Sequence, residues 1–204
     1  MEKKMADFFD GLADRGLWRS FEGEERERVR DCTALWNIRP GSRVLEPGCG
    51  LGRLTELLAD IVGEEGEVVA VDVAPKMIAG ALARGLPENV RLIHSSLGEM
   101  PGDIGTFDYV VCCNVWPHFE QPEDVLTGIR GMLNWGGHLW ITHLTGRHVI
   151  NAIHSRAAPE IQNHQLPPAK DLAELATIAG FDVLNFRDED EIYWIHARKP
   201  EIEV

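Results

Sequence analysis

A chain of 204 residues, 44% hydrophobic and 26% charged, is long enough to bury the core of one globular domain and too apolar to stay unfolded. Its 33 acidic against 20 basic residues leave a formal charge of −13, and no Lys/Arg run appears, which weighs against a nucleic-acid partner. The start, Met1-Glu2-Lys3-Lys4-Met5-Ala6-Asp7, lacks the apolar centre of a signal peptide, and no stretch reaches membrane-spanning length. The four cysteines, Cys32, Cys49, Cys112 and Cys113, lack zinc-ligand spacing, and two are adjacent on a predicted strand, so no disulfide framework is implied. A reducing cytoplasm is the expected compartment, and monomer or homodimer the expected state.

In chain order, Met5, Phe8, Phe9 and Leu12 stand at i, i+3, i+4 and i+7 and predict a short helix. Gly16-Leu17-Trp18 breaks it. A charged run from Glu22 leads into a second helix, predicted to bury Val29, Cys32, Leu35 and Trp36. Residues 1–42 read either as a packing appendage or as a lid over a site. Arg43 to Glu46 is a first strand, followed by glycines at 48, 50 and 52 and a helix over 53–62. Glu67 to Asp72 is a second strand, and Pro75 opens a helix to about Arg84. Val90 to His94 is a third strand. Phe107 to Cys113, continuously apolar apart from Asp108, predicts a strand buried on both faces.

Pro122 starts a helix that buries Val125, Leu126, Ile129, Met132 and Leu133 and is predicted to end at Gly136-Gly137. His138 to His143 is the next strand. Residues 145–168 read as irregular, followed by a helix over 171–179 stopped by Gly180. Val183–Phe186 and Ile192–Ala197 read as an antiparallel hairpin. Repeated β-α-β units make an α/β fold: a mostly parallel sheet with helices on both faces, to which the hairpin adds one antiparallel strand.

Ligands of such sheets sit at the carboxyl ends of strands, so three loops matter. The first is Glu46-Pro47-Gly48-Cys49-Gly50-Leu51-Gly52, where glycine lets a ligand touch the backbone. The second is Asp72, about 20 residues beyond the last glycine, where nucleoside-binding folds place a ribose-binding acid. Alone it could equally cap a helix; paired with the glycine turn it favours ribose binding. The third is Cys113-Asn114-Val115-Trp116-Pro117-His118-Phe119. A dinucleotide fingerprint would want a third glycine at position 53, which is Arg53, and no Walker sequence is present. A nicotinamide-dependent oxidoreductase therefore fits poorly.

Val44-Leu45-Glu46-Pro47-Gly48-Cys49-Gly50-Leu51-Gly52, Ala70-Val71-Asp72, Phe107-Asp108-Tyr109-Val110-Val111 and Leu133-Asn134-Trp135-Gly136-Gly137, in this order and spacing, resemble class I S-adenosylmethionine-dependent methyltransferases. The resemblance covers about residues 40 to 198. Phe8-Phe9-Asp10-Gly11-Leu12-Ala13 is similar to the opening segment of small-molecule members of the ubiquinone/menaquinone branch. It implies a Rossmann-like three-layer sandwich with a seven-stranded sheet in the order 3-2-1-4-5-7-6. One domain, 1–204, would comprise an N-terminal helical lid (1–42), a cofactor-binding core (43–144), a substrate-lid insertion (145–168), and a C-terminal helix and hairpin (169–204).

The same resemblance implies S-adenosyl-L-methionine as cofactor, S-adenosyl-L-homocysteine as product, and a small-molecule methyl acceptor. Gly48, Cys49, Gly50 and Gly52 would line the methionine part, and Glu46 would order its ammonium contacts. Asp72 would hold the ribose, with Val73 beside it and Met77 against the adenine. Ser96, followed by Leu97, stands where the family often has an acid for the adenine amino group. Asn114 and Val115 would lie near the methionine moiety, and Trp116 and His118 would face the transferred methyl.

A histidine of pKa about 6.5 can take a proton from an oxygen or nitrogen acceptor at neutral pH. His118 is thus a candidate base, or else a pocket-shaping residue, since methyl transfer from a sulfonium needs only alignment and exclusion of water. The segment 143–168 adds His143, His148, His154 and His164, with Arg147, Arg156 and Asn151. No zinc spacing is met and Glu160 is the only acid near them, so no metal is expected. His143, Arg147, His154 and Arg156 read as acceptor contacts, with the two arginines clamping an anionic acceptor or standing as ordinary surface residues. Of the cysteines, only Cys113 could serve a thiol-assisted reaction. The reading from another class is a module that binds the cofactor without catalysis.

Overall fold

The computed structural model describes residues 2–15 and 19–202, so the expected helix break at Gly16-Leu17-Trp18 lies outside the described residues. Seven strands form one sheet in the order β3-β2-β1-β4-β5-β7-β6, as expected, with helices on its flanks. The chain divides into two compact units, residues 1–100 and 101–204.

The first unit holds α1 (Glu2–Asp14), α2 (Gly23–Trp36), β1 (Arg43–Pro47), α3 (Arg53–Val62), β2 (Glu67–Asp72), α4 (Pro75–Leu82) and β3 (Val90–His94). β1 pairs with β2 and β2 with β3, both in parallel. Val68, Val69, Ala70 and Val71 are all buried, because β2 is covered on both faces, and a strand so placed reads as an unbroken apolar run. α2 buries Val29, Cys32 and Trp36, but Leu35, expected inside, is 41% exposed. Arg53 stands where a dinucleotide site would have glycine. It instead grips Glu25 with two hydrogen bonds of 2.9 and 2.8 Å and lies over the Phe21 ring at 4.1 Å, tying α3 to α2 and the chain before it.

The second unit holds β4 (Phe107–Cys113), α5 (Pro122–Met132), β5 (Leu133–His143), α6 (Arg147–Ser155), α7 (Ala169–Ile178), β6 (Asp182–Asp188) and β7 (Tyr193–Arg198). β4 and β5 are parallel, and β7 is antiparallel to both β5 and β6. Two expectations are corrected here. α5 stops at Met132, and Gly136-Gly137 lies inside β5, not at a helix end. The β4–β5 register shifts between Phe107 and Tyr109, and β5 loops out extra residues there. A side chain at Gly137 would place its Cβ 2.9 Å from the Asn134 carbonyl oxygen and 3.2 Å from that of Asp108, so the pair serves a β-bulge. Residues 145–168 are not wholly irregular, since α6 occupies nine of them. Of its apolar residues only Ile150 is buried, while Val149 and Ile153 are exposed.

Candidate functional site

In the first unit the site grows from the carboxyl ends of β1 and β2. Gly48, Gly50 and Gly52 have φ of 72°, 54° and 77°, so the chain coils tightly with its amides turned inward. The Gly48 and Cys49 N–H groups both donate to the Val71 carbonyl, at 2.8 and 3.0 Å, which pins the loop across the end of β2. Asp72 completes the tie. Its Oδ2 accepts from Gly50 N at 2.8 Å and its Oδ1 from Ala74 N at 2.9 Å. Burial raises the Asp72 carboxyl above the usual carboxylate range, against the pull of those two N–H donors. Its bond to Ala74 is a local turn ahead of α4, whose N-cap is Ala74 and not Asp72, and the bond to Gly50 joins the acid to the loop. At Gly52 bulk is excluded as well. A Cβ there would lie 3.1 Å from the Ala81 Cβ and 3.3 Å from the Arg84 Cδ.

Beneath the loop Glu46 is 3% exposed and accepts from Thr55 Oγ1 at 2.7 Å. It forms no ion pair among the described residues, and burial pushes its carboxyl up to about 8. Cys49 is buried, and burial carries its thiol well above the ordinary value, so it is a packing group and not a nucleophile. Met77 is buried, and its Sδ would lie 3.9 Å from a Cβ on Gly50. Val73 is half-buried, and its carbonyl accepts from His94 Nε2 at 3.1 Å. Ser95 N donates to the Asp72 carbonyl at 3.1 Å, and Ser96 precedes the 3-10 turn Leu97–Glu99, so this segment lies beside the acid. Of the ten expected cofactor residues of this unit, Met77 lies in the first turn of α4 and the other nine lie on the loop or on the strand ends and turns near it.

In the second unit Asn114 follows β4 with φ 56°, a left-handed conformation uncommon outside glycine. Its N–H donates to the Thr142 carbonyl at 2.9 Å and its Oδ1 accepts from Leu144 N at 3.0 Å, which locks the ends of β4 and β5 together. Val115 is half-buried and leads into the 3-10 turn Trp116–His118. Trp116, expected beside the methyl, is only 2% exposed and packs edge-on against Phe119, so it forms wall and not open platform.

That turn aims His118 at a group of imidazoles that no spacing in the sequence foretells. His118 Nδ1 lies 3.0 Å from His164 Nδ1, and its ring centroid 5.1 Å from that of His154. His154 Nδ1 donates to the His164 carbonyl. His143, at the end of β5, is 1% exposed, and neither of its ring nitrogens has a hydrogen-bond partner among the described residues; the buried Tyr193 hydroxyl paired opposite it on β7 has none there either. An ordinary basicity for His118 does not survive: burial first, then the neighbouring His154 and His164, pull it down to about 3. His143 falls to about 3 for the same leading reason. Both rings are neutral at physiological pH. His164 is the residue that sequence reading left without a role, 46 positions from its partner with no pattern to link them. Arg147 is held by Asp188 at 2.9 Å, Arg156 is exposed at the end of α6, and His148 is exposed as well. None of these three is hydrogen-bonded to the imidazole group.

Residues 44–137 match the family model of a methyltransferase domain. The chain is 30% identical over 150 residues to a ubiquinone biosynthesis O-methyltransferase of Xanthomonas campestris pv. campestris, covering 68% of this chain and 59% of that one. It is 31% identical over 141 residues to a ubiquinone/menaquinone biosynthesis C-methyltransferase of Ectopseudomonas mendocina, covering 67% and 51%. The chain therefore spans little more than half the length of these curated relatives. In fold it is similar to the N-methyltransferase NodS of Bradyrhizobium japonicum in complex with S-adenosyl-L-homocysteine, with a TM-score of 0.71, 19% identity, and coverage of 95% and 99%. With the expected strand order and the glycine loop joined to its acid, the chain belongs to the class I S-adenosylmethionine-dependent methyltransferases.

Proposed function

We propose that this protein transfers the methyl group of S-adenosyl-L-methionine to a small-molecule acceptor by direct displacement, releasing S-adenosyl-L-homocysteine. The observation that carries the reading is the Gly50–Asp72 hydrogen bond, which makes loop and acid one unit. The residues of the first unit suit this cofactor. An ionised carboxylate has about four lone-pair sites, so Asp72 retains acceptor capacity for two ribose hydroxyls beside its two backbone donors. Glu46, a buried acid with no ion-pair partner among the described residues, suits a ligand that brings an ammonium group and so restores its charge. The cofactor supplies a sulfonium-bound methyl open to attack.

In the second unit His118 is the proton acceptor of this proposal. A base held to about 3 is weak, but it suffices for an acceptor whose proton becomes strongly acidic as the methyl bonds to its carrier atom. The names of the two curated relatives support a small quinone-precursor-like acceptor. His154 and the neutral His143 would contact it, whereas the hold of Asp188 on Arg147 argues against an anion clamp. In this proposal α1 and the segment 145–168 cover the cofactor and acceptor respectively. α1 is fastened for that role by Asp10, which accepts from Lys76 N at 2.8 Å. No helix among the described residues is long and apolar enough to cross a membrane.

The test is incubation with isotope-labelled S-adenosyl-L-methionine and a panel of phenols, hydroxylated acids and amines. Acceptor-dependent release of S-adenosyl-L-homocysteine, matched by labelled product, is the expected result. Retained cofactor binding with no transfer to any member of the panel would favour the binding module instead.

A further inference from the structure

We infer that His164 is a positioning residue which sets the tautomer of His118 through their Nδ1–Nδ1 hydrogen bond, placing the His118 lone pair on Nε2. This rests on the reading of His118 as proton acceptor.

Two nitrogens 3.0 Å apart form a hydrogen bond only if one carries the proton and the other does not. With both rings neutral, one proton is shared between the two Nδ1 atoms, and two arrangements exist. In the first, His118 donates from Nδ1 and keeps its lone pair on Nε2, while His164 carries its own proton on Nε2. In the second the roles reverse, and His118 carries its proton on Nε2. Only the first lets His118 accept a proton at Nε2, and it survives that step without rearrangement. The imidazolium that forms still donates from Nδ1 to a neutral His164.

One observation favours the first arrangement, and two more show how the pair is held in place. His164 is the less buried of the two rings, so the Nε2–H it must carry is more easily met by water than one on His118. His154 holds the backbone of His164 in place, because a carbonyl oxygen can only accept and His154 Nδ1 must therefore donate to it. Finally, His118 is presented by the turn Trp116–His118, whose His118 N–H is fixed to the Val115 carbonyl at 3.0 Å, so its ring has a defined origin. Among the described residues, the titratable groups around His118 are His154, His164 and His143, and Glu120 acts on His164. Through the Nδ1–Nδ1 bond, the His164 imidazole takes the orienting part that an acid takes in a catalytic triad.

Nitrogen-15 NMR of the ligand-free, full-length protein at pH 7 tests this without needing the acceptor. The His118 signals are assigned by their loss in His118→Gln. The expected wild-type pattern is a protonated, pyrrole-type Nδ1 and an unprotonated, pyridine-type Nε2. In His164→Ala the two signals should move toward the average of mixed tautomers. His164→Asn, whose amide oxygen stands about where Nδ1 stood, should restore the wild-type pattern. A protonated Nε2 on His118 in the wild type overturns the inference, as does a tautomer that His164→Ala leaves unchanged. Since the tautomer is read without turnover, these outcomes leave the methyl-transfer reading intact. Conversely, full turnover in His118→Ala would remove the base assignment while the NMR pattern stood.

Discussion

Gly50 N donates to Asp72 Oδ2 at 2.8 Å, so the acid that would hold the ribose also sets the shape of the glycine loop. Removing it should therefore damage both parts of the cofactor site at once. Asp72→Ala is expected to weaken S-adenosyl-L-homocysteine binding at least tenfold, since hydrogen bonds to a charged group contribute about 1.5–3 kcal/mol each. Isothermal calorimetry reads this. An affinity within twofold of wild type would separate Asp72 from the ligand.

Two glycines to alanine should act in opposite directions. At Gly52 the left-handed φ of 77° and the close Ala81 make alanine costly, by about 1–2 kcal/mol from backbone strain alone. At Gly128, in the middle of α5 and with nothing within 4 Å of its would-be Cβ, alanine should stabilise by up to about 1 kcal/mol. Urea unfolding of the two variants gives the sign of each. Equal effects would mean that the loop is looser than described.

Much of this molecule was legible from sequence because the cofactor half is local. The apolar runs Val68–Val71 and Phe107–Cys113 can be read as buried strands, and the glycine loop and Asp72 follow their strands directly. The acceptor half is not local. His118 and His164 meet through folding of the 145–168 segment, and histidine carries no periodic signal that pairs it with another. α6 was missed although Ile150 and Ile153 stand at helical spacing, because its nine residues, Arg147–Ser155, fall short of the about 11–18 over which a helical period is read. Gly136-Gly137 was misplaced because a glycine pair is an equally good signal for a helix end and for a bulge.

Glu46 makes alkaline stability testable. Its folded value of about 8 lies above the ordinary carboxyl value, so the stability linked to its proton is fully present at low pH and is lost as pH rises through about 8. The slope is at most about 1.4 kcal/mol per pH unit in that window. Glu46→Gln, a neutral stand-in, should match wild type near pH 5 and unfold at higher temperature than wild type at pH 8. Parallel melting curves across that range would show that Glu46 ionises freely in the fold.

His143 acts in the opposite direction. Its folded value of about 3 lies below the ordinary 6.5, so its contribution is present above pH 6.5 and lost as pH falls toward 3. A buried imidazole with neither nitrogen partnered also costs about 1–3 kcal/mol of desolvation. His143→Leu is therefore expected to raise the melting temperature at pH 7 and to flatten its fall between pH 6 and 4. A lower melting temperature at pH 7 would mean that His143 is hydrogen-bonded after all.

The central claim is that the loop Glu46–Gly52 and Asp72 bind an amino-acid-bearing nucleoside. Calorimetric titration of the wild-type protein with S-adenosyl-L-homocysteine tests it most directly, with NAD as the control. The account predicts saturable one-to-one binding of S-adenosyl-L-homocysteine and none of NAD. No heat with S-adenosyl-L-homocysteine at millimolar concentration, or equal binding of NAD, would contradict it.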